Sequence, residues 1–243
     1  MIGINSTLGE ICQRNGGLIQ TGPFGSQLHQ TDYTETGVPV VMPKDIVDGK
    51  ISVGSVARIP ETKAQQLSRH LLRQNSIVMP RRGDISKRAY IKEDQAGFFC
   101  GSGCLQIITP DHLLNARYLY YYLAQDQVVE WLERNAIGTT MLNLSMKIVE
   151  NIPFCLIPLI TQKKIASILS AYDDLIENNR RRIQLLERSL HLLYKEWFVH
   201  LRFPSHEHSK IVDGIPEGWR YIELEKLVLE IIDYRGKTPA KLG

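Results

Sequence analysis

The stretch Thr161–Leu201, TQKKIASILSAYDDLIENNRRRIQLLERSLHLLYKEWFVHL, contains neither glycine nor proline and repeats apolar residues at steps that alternate between four and three. Ile165, Leu169, Tyr172, Ile176, Ile183, Leu186, Leu190, Leu193 and Trp197 make up the repeat, and Asn179 is its one polar member. A mean step of 3.5 residues is the seam of a left-handed supercoil, because it keeps one helix face turned toward a partner. The stretch therefore reads as a single helix, N-capped by Thr161 and, at 1.5 Å per residue, about 60 Å long. A helix of that length cannot cover its stripe on one domain of ordinary size. It requires a second helix, from another copy or from a continuation of the chain.

The residues before the helix have a different grammar. Residues 1–157 carry short β-like runs, Val38–Met42 and Ser76–Met79 among them, separated by Gly, Pro and Asp turn signals. One stretch, from about Ala116 to Asn135, places Leu119, Tyr122, Leu123, Val128, Trp131 and Leu132 near a 3.6-residue period and is expected to be a helix packed on the sheet. The fold class is α/β: a mixed α/β domain over 1–157, then a long coiled-coil helix over 158–203. Ile152–Pro158 is bracketed by prolines and reads as an extended connector leaving the domain. Residues 204–243 read as a polar linker followed by the truncated start of a second domain, whose Leu224-Glu225-Lys226-Leu227 echoes Leu8-Gly9-Glu10-Ile11. So short a segment cannot bury a core of its own.

The 243 residues are 43% apolar and 23% charged, which suits one or two folded domains rather than disorder. No uncharged apolar run approaches the roughly 18 residues of a membrane span, and Met1–Asn5 lacks the basic and apolar regions of a signal peptide. A cytoplasmic chain is expected, with Cys12, Cys100, Cys104 and Cys155 as thiols. The net charge is only +3, yet between Lys44 and Lys92 eleven basic side chains face four acidic ones, a surplus of seven. Such a concentration suits a polyanion, since each Lys or Arg placed on a phosphate releases a counterion, and the Arg fork matches guanine O6 and N7. It equally suits a solvated face, and charge alone leaves both readings open.

Two loops combine glycine with small polar side chains: Thr21-Gly22-Pro23-Phe24-Gly25-Ser26-Gln27, and Gly138-Thr139-Thr140 with Asn143. Their composition allows close backbone approach to a ligand or an ordinary structural turn. Neither continues into Gly-Lys-Ser/Thr, and Gly-x-Gly-x-x-Gly is absent. Cys100 and Cys104 flank Gly101-Ser102-Gly103 without a second pair to complete a zinc site, and His206-Glu207-His208 lacks metalloprotease spacing. No catalytic tetrapeptide of a DNA methyltransferase and no hydrolase elbow occurs. The residues give no active site, metal site or cofactor site.

Taken together, several motifs resemble the specificity subunit of type I restriction-modification systems. They are Thr21–Ser26 with Asp32-Tyr33 and Gly37-Val38-Pro39, Arg82-Gly83-Asp84-Ile85, Gly138-Thr139-Thr140, Ile152–Pro158, and Gln162-Lys163-Lys164-Ile165-Ala166 opening the long helix. Pro216-Glu217-Gly218-Trp219 and Tyr234–Pro239 complete the series. The resemblance implies that 1–157 is a target-recognition domain reading half of a split duplex DNA sequence, and that 158–203 is a spacer and dimerisation helix. It implies methyltransferase and restriction/translocase subunits as partners that carry the chemistry, with no catalysis or cofactor in this chain. Thr21, Ser26, Gln27, Lys44, Arg81, Arg82, Lys87, Arg88, Thr139 and Thr140 are the candidate DNA contacts, and Ile165 through Trp197, with Asn179, the candidate self-association seam. A coiled-coil assembly adaptor without DNA contact is the competing reading.

Overall fold

The computed structural model describes residues 4–138 and 142–228, and the chain divides into two compact units, Met1–Asp174 and Leu175–Gly243. Thr139, Thr140 and the Tyr234–Pro239 motif lie outside the described residues. In the first unit the strands are β1 (Ile4–Thr7), β2 (Leu18–Thr21), β3 (Val38–Val41), β4 (Ile46–Val47), β5 (Lys50–Ile51), β6 (Ala57–Ile59), β7 (Ser76–Pro80), β8 (Ala89–Tyr90), β9 (Phe99–Cys100), β10 (Cys104–Ile108) and β11 (Pro153–Leu156). Its helices are α1 (Leu8–Arg14), α2 (Glu61–Gln66), α3 (Ala116–Tyr122), α4 (Asp126–Asn135) and α5 (Met146–Glu150), and the long helix α6 (Leu159–Tyr194) starts in it. The α/β class read from the sequence is the one observed.

A four-stranded antiparallel sheet in the order β2-β10-β7-β8 forms the centre. Successive side chains of a strand point to opposite faces, so β7 sends Ile77 and Met79 to one side and Val78 to the other. Ile77 and Met79 join Leu105 and Ile107 of β10 under Leu8 and Ile11 of α1, Leu119 of α3, Leu132 of α4 and Val149 of α5. Val78 meets Val41, Ile46, Ile51, Leu72, Ile91 and Cys104 on the opposite face. Both faces are covered, which explains why β7 reads as an unbroken buried run instead of an alternating one. A three-stranded sheet, β6-β3-β9, pairs β3 with β9 in parallel and packs Val40, Ile59 and Phe99 against Leu28 and Ala64.

Three local expectations are corrected. Ile152–Pro158 is not a free connector: Pro153–Leu156 pairs antiparallel with β1, from Ile4 opposite Leu156 to Thr7 opposite Pro153. A proline at the first position of an edge strand costs no ladder bond. The stretch 116–135 is two helices rather than one, broken at Leu123–Gln125, where Gln125 starts the second with extended backbone. Thr161 does not cap the long helix. The helix begins at Leu159, and the Pro158 carbonyl accepts from the backbone N–H groups of Thr161 and Gln162 at 2.9 and 3.1 Å.

In the second unit α6 runs regularly to Tyr194 and ends in a π turn, Lys195–Val199, in which the His200 N–H donates to the Lys195 carbonyl at 2.8 Å. The segment expected to be a linker contains a hairpin of β12 (Ile211–Val212) and β13 (Ile215–Pro216). Trp219 follows it and stacks on Phe198 and Phe203, with ring centroids 5.6 and 5.5 Å apart. Leu224–Lys226 is a single 3₁₀ turn, whereas its sequence echo Leu8–Arg14 is an α-helix with a Thr7 capping box. No helix among the described residues is long and apolar enough to cross a membrane.

Candidate functional site

Strand register gathers several distant motifs at one end of the central sheet. β10 begins at Cys104, which is opposite Pro80 of β7, and Leu105 is opposite Thr21 of β2. The chain leaving β2 and the chain leaving β7 therefore flank the turn Gly101–Gly103 that precedes β10. Backbone hydrogen bonds fix both sides: Gly22 N–H donates to the Cys104 carbonyl at 3.0 Å and Arg81 N–H to the Gly103 carbonyl at 2.9 Å. A third segment closes in from β3, since Gly101 N–H donates to the Val41 carbonyl at 2.9 Å and a Cβ on Gly103 would stand 2.9 Å from Pro43. Gly22 at the start of the Thr21–Gln27 loop, Pro43 next to Lys44, and Arg81 next to Arg82 thus adjoin Gly101-Ser102-Gly103. Glycine is required at position 22, because a Cβ there would collide with the Gly101 carbonyl.

The side chains at this edge differ in availability. Ser26, Lys44 and Arg82 are exposed and Gln27 is half-buried, with its Oε1 accepting from the Phe24 N–H at 3.3 Å. Thr21 is buried, and its carbonyl pairs with His70 Nδ1 at 3.0 Å. Arg81 is half-buried, and burial, with the neighbouring Arg82, lowers its guanidinium from the ordinary value. Arg82 forms a β-bridge to Asn143, next to the second glycine loop. The buried Arg81 Nε and Asn143 Oδ1 find no hydrogen-bond partner among the described residues. Leu144 N–H donates to the Arg81 carbonyl at 2.7 Å, so Asn143 and Leu144 are held to the same edge.

Lys87 and Arg88 are not part of this gathering. Lys87 pairs with Asp84 at 3.7 Å. Arg88 donates from Nε to the Tyr120 carbonyl at 3.1 Å and from Nη1 to the Ser86 carbonyl at 2.7 Å, and lies 5.5 Å over the Tyr120 ring. It serves as a tie between β8 and α3. Sequence reading missed the central turn, Gly101-Ser102-Gly103, which it weighed only as the interval between two cysteines. The flanking thiols are inert by burial, Cys100 being pushed up to about 12 and Cys104 further.

The expected seam of α6 has the opposite character, being apolar and uncovered. Leu169, Tyr172, Ile176, Ile183, Leu186, Leu190 and Leu193 are all exposed, Leu186 and Leu190 each at 68%. Only the ends, Ile165 and Trp197, are half-buried, and Asn179 is exposed. A contiguous apolar stripe of this extent marks an interaction surface.

The start of α6 is held to the recognition-end core by a buried polar side chain that sequence reading did not single out. Gln162 is fully buried. Its Oε1 accepts from the Asn115 N–H at 2.8 Å, and its Nε2 donates to the carbonyls of Ile157 and Leu113 at 2.8 and 3.0 Å. Three turns on, the Tyr121 hydroxyl of α3 donates to the Asp173 carboxylate at 2.6 Å. Burial, with that bond, pushes the Tyr121 phenol up to about 12.

A profile of the type I restriction modification DNA specificity domain matches residues 5–188. The MjaIX specificity subunit of the type I restriction enzyme of Methanocaldococcus jannaschii is 27% identical over 195 residues, 77% of this chain and 44% of the relative. The MjaVIII specificity subunit of the same organism is 32% identical over 117 residues, 48% of this chain and 27% of the relative. The chain thus spans less than half the length of these curated relatives. Among solved structures, the type I S subunit of M. genitalium superposes with a TM-score of 0.55 at 21% identity, over 82% of this chain and 46% of that one. The HsdS subunit of Thermoanaerobacter tengcongensis gives 0.53 at 19%, over 92% and 54%. These likenesses show the fold, and the match over residues 5–188 shows the lineage: the chain belongs to the family of type I restriction modification DNA specificity domains.

Proposed function

We propose that the chain is the non-catalytic DNA reader of a type I restriction-modification assembly, directing a methyltransferase partner, and through it a restriction/translocase subunit, to a split duplex target in the cytoplasm. The family match over residues 5–188 carries this reading. In it, residues 1–157 recognise one half-site, 158–203 form the spacer and dimerisation helix, and 204–243 are a linker and the start of a second recognition domain. The approach of Gly22, Pro43 and Arg81 to the Gly101–Gly103 turn supports that sheet edge as the DNA face, with Thr21, Ser26, Gln27, Lys44, Arg81 and Arg82 as its proposed contacts; Thr139, Thr140 and Lys87 are proposed as further contacts. Arg88 has two donors engaged inside the domain and is assigned to holding β8 to α3 rather than to a DNA contact.

The uncovered seam is assigned to a second copy of this chain, packed antiparallel. Its length and exposure support this. Antiparallel pairing sets the two recognition domains at opposite ends, as separated half-sites require, and a closed two-fold pair reads the same half-site twice in inverted orientation.

Filter binding of the purified chain to mixed-sequence duplex DNA over a salt series tests the reading. Three phosphate contacts per chain would give a log–log slope near −2.7, or about a 500-fold loss of affinity per tenfold rise in salt. Binding that is absent or indifferent to salt would favour an assembly adaptor without DNA contact. Without its partner the chain should transfer no methyl group from S-adenosylmethionine.

A further inference from the structure

Gln162 and the Tyr121–Asp173 bond tie α6 to the first unit, and together they do something a coiled-coil seam cannot. The seam aligns one helix with another. It does not set the angle at which a helix leaves the domain that carries the DNA face. Gln162, Ala166 and Asp173 are spaced by four and seven residues, so they share one face of α6. Gln162 and Ala166 are buried, and Asp173 reaches the domain through Tyr121.

The first attachment is closed on every side. The Gln162 amide satisfies one N–H and two carbonyls that would otherwise be stranded at the domain surface: Asn115 at the N-terminus of α3, Leu113 just before it, and Ile157 just before α6. A leucine of similar size would fill the space and leave all three groups without partners. The second attachment stands eleven residues on, about 16 Å along the axis at 1.5 Å per residue. Two attachments on a stiff rod fix its direction. A slip of about 1 Å at the second tilts the rod enough to move a point some 48 Å from the first, near the last α-helical turn, by about 3 Å. That is close to the 3.4 Å rise of one base pair along a DNA strand.

We propose that Gln162, together with the Tyr121–Asp173 bond, is the positioning joint that sets the number of base pairs between the two half-sites. This rests on the reading of the chain as a split-site DNA reader. The joint acts on geometry alone. It selects the spacer and leaves the bases read in each half-site unchanged, because those depend on the sheet edge around Gly101–Gly103.

The test expresses the full-length chain with its methyltransferase partner in a host lacking other type I systems and maps modified bases across the chromosome, which offers every half-site combination at every spacing. Wild type, Gln162→Leu and Tyr121→Phe are compared. Tyr121→Phe removes only a hydroxyl and decides the matter should Gln162→Leu not fold. The expected result is unchanged half-sites with modification at spacers one base pair longer or shorter rising at least tenfold over wild type. Two folded variants that modify the wild-type spacer alone, with a lower melting temperature and nothing else altered, would make the joint merely structural and overturn the proposal. A wild-type chain that directs modification to an undivided site would overturn it differently, by removing the split-site reading beneath it.

Discussion

His70 shows how one residue couples the sheet to the loop at its edge. Its ring is fully buried, 5.9 Å from the Phe99 ring, and its Nδ1 lies 3.0 Å from the Thr21 carbonyl, at the point where the chain turns into the Gly22–Gln27 loop. Donation from Nδ1 requires the Nδ1–H tautomer, leaving Nε2 as an acceptor with no partner among the described residues. Burial lowers the imidazole below its ordinary 6.5, with Arg69 adding to the shift and the Thr21 carbonyl opposing it. The unfolded chain therefore takes up a proton that the folded chain resists. The contribution to stability is complete above pH 6.5 and is lost as pH falls from there through the folded value. The melting temperature should decline between pH 7.5 and pH 5.5, and His70→Asn, which can keep a donor toward the Thr21 carbonyl, should decline less. Equal slopes for the two proteins would show that His70 does not carry this dependence. None of this was legible in the sequence, where His70 is one histidine between Arg69 and Leu71; its neighbours, the Phe99 ring and the Thr21 carbonyl, come from segments 29 and 49 residues away.

At the scale of elements, what could be read was what local pattern determines. The long helix announced itself because 3.5-residue periodicity over some forty residues has no other structural explanation. The strand Pro153–Leu156 was concealed, because flanking prolines look the same in a free connector and at the start of a paired edge strand. The break between α3 and α4 was concealed because apolar periodicity continues through Leu123 while the backbone does not. The gathering around Gly101–Gly103 was beyond sequence reading, since it depends on a strand register that sets Cys104 opposite Pro80 and Leu105 opposite Thr21, pairings that no local pattern along the chain announces. The exposed seam yields the prediction proper to this scale. Burying each large apolar side chain contributes about 1.5 to 3 kcal/mol, so Leu186→Asp with Leu190→Asp, which removes four such side chains from a two-fold pair, costs about 6 kcal/mol or more. Light scattering at tens of micromolar should find wild type dimeric and the double variant monomeric. A wild-type chain that is itself monomeric there would remove the second copy as the seam's occupant.

For the whole molecule, the charges on the helix and on the recognition domain should respond to salt in opposite senses. In an antiparallel pair each layer sets one seam position against the other kind, and the register that uses the seam from end to end places Ile165 against Trp197, Leu169 against Leu193, Tyr172 against Leu190 and Ile176 against Leu186. Asn179 then faces Ile183, and the two-fold axis passes at Arg181. The two Asn179 amides stand in neighbouring layers beside the axis, where a polar pair can fix register at some cost in stability. The same axis brings Arg180, Arg181 and Arg182 of one copy near those of the other. Like charges at that range repel, and the repulsion fades as the Debye length contracts from about 10 Å at 0.1 M to 3 Å at 1 M salt. Self-association should therefore tighten as salt rises, while DNA affinity falls through loss of counterion release. Sedimentation of the free chain and filter binding of the DNA complex, run over one salt series, should show the two constants diverging. Arg182→Glu should abolish the salt response of the dimer while leaving the slope for DNA in place. A dimer that weakens with salt would rule out this register and with it the axis at Arg181.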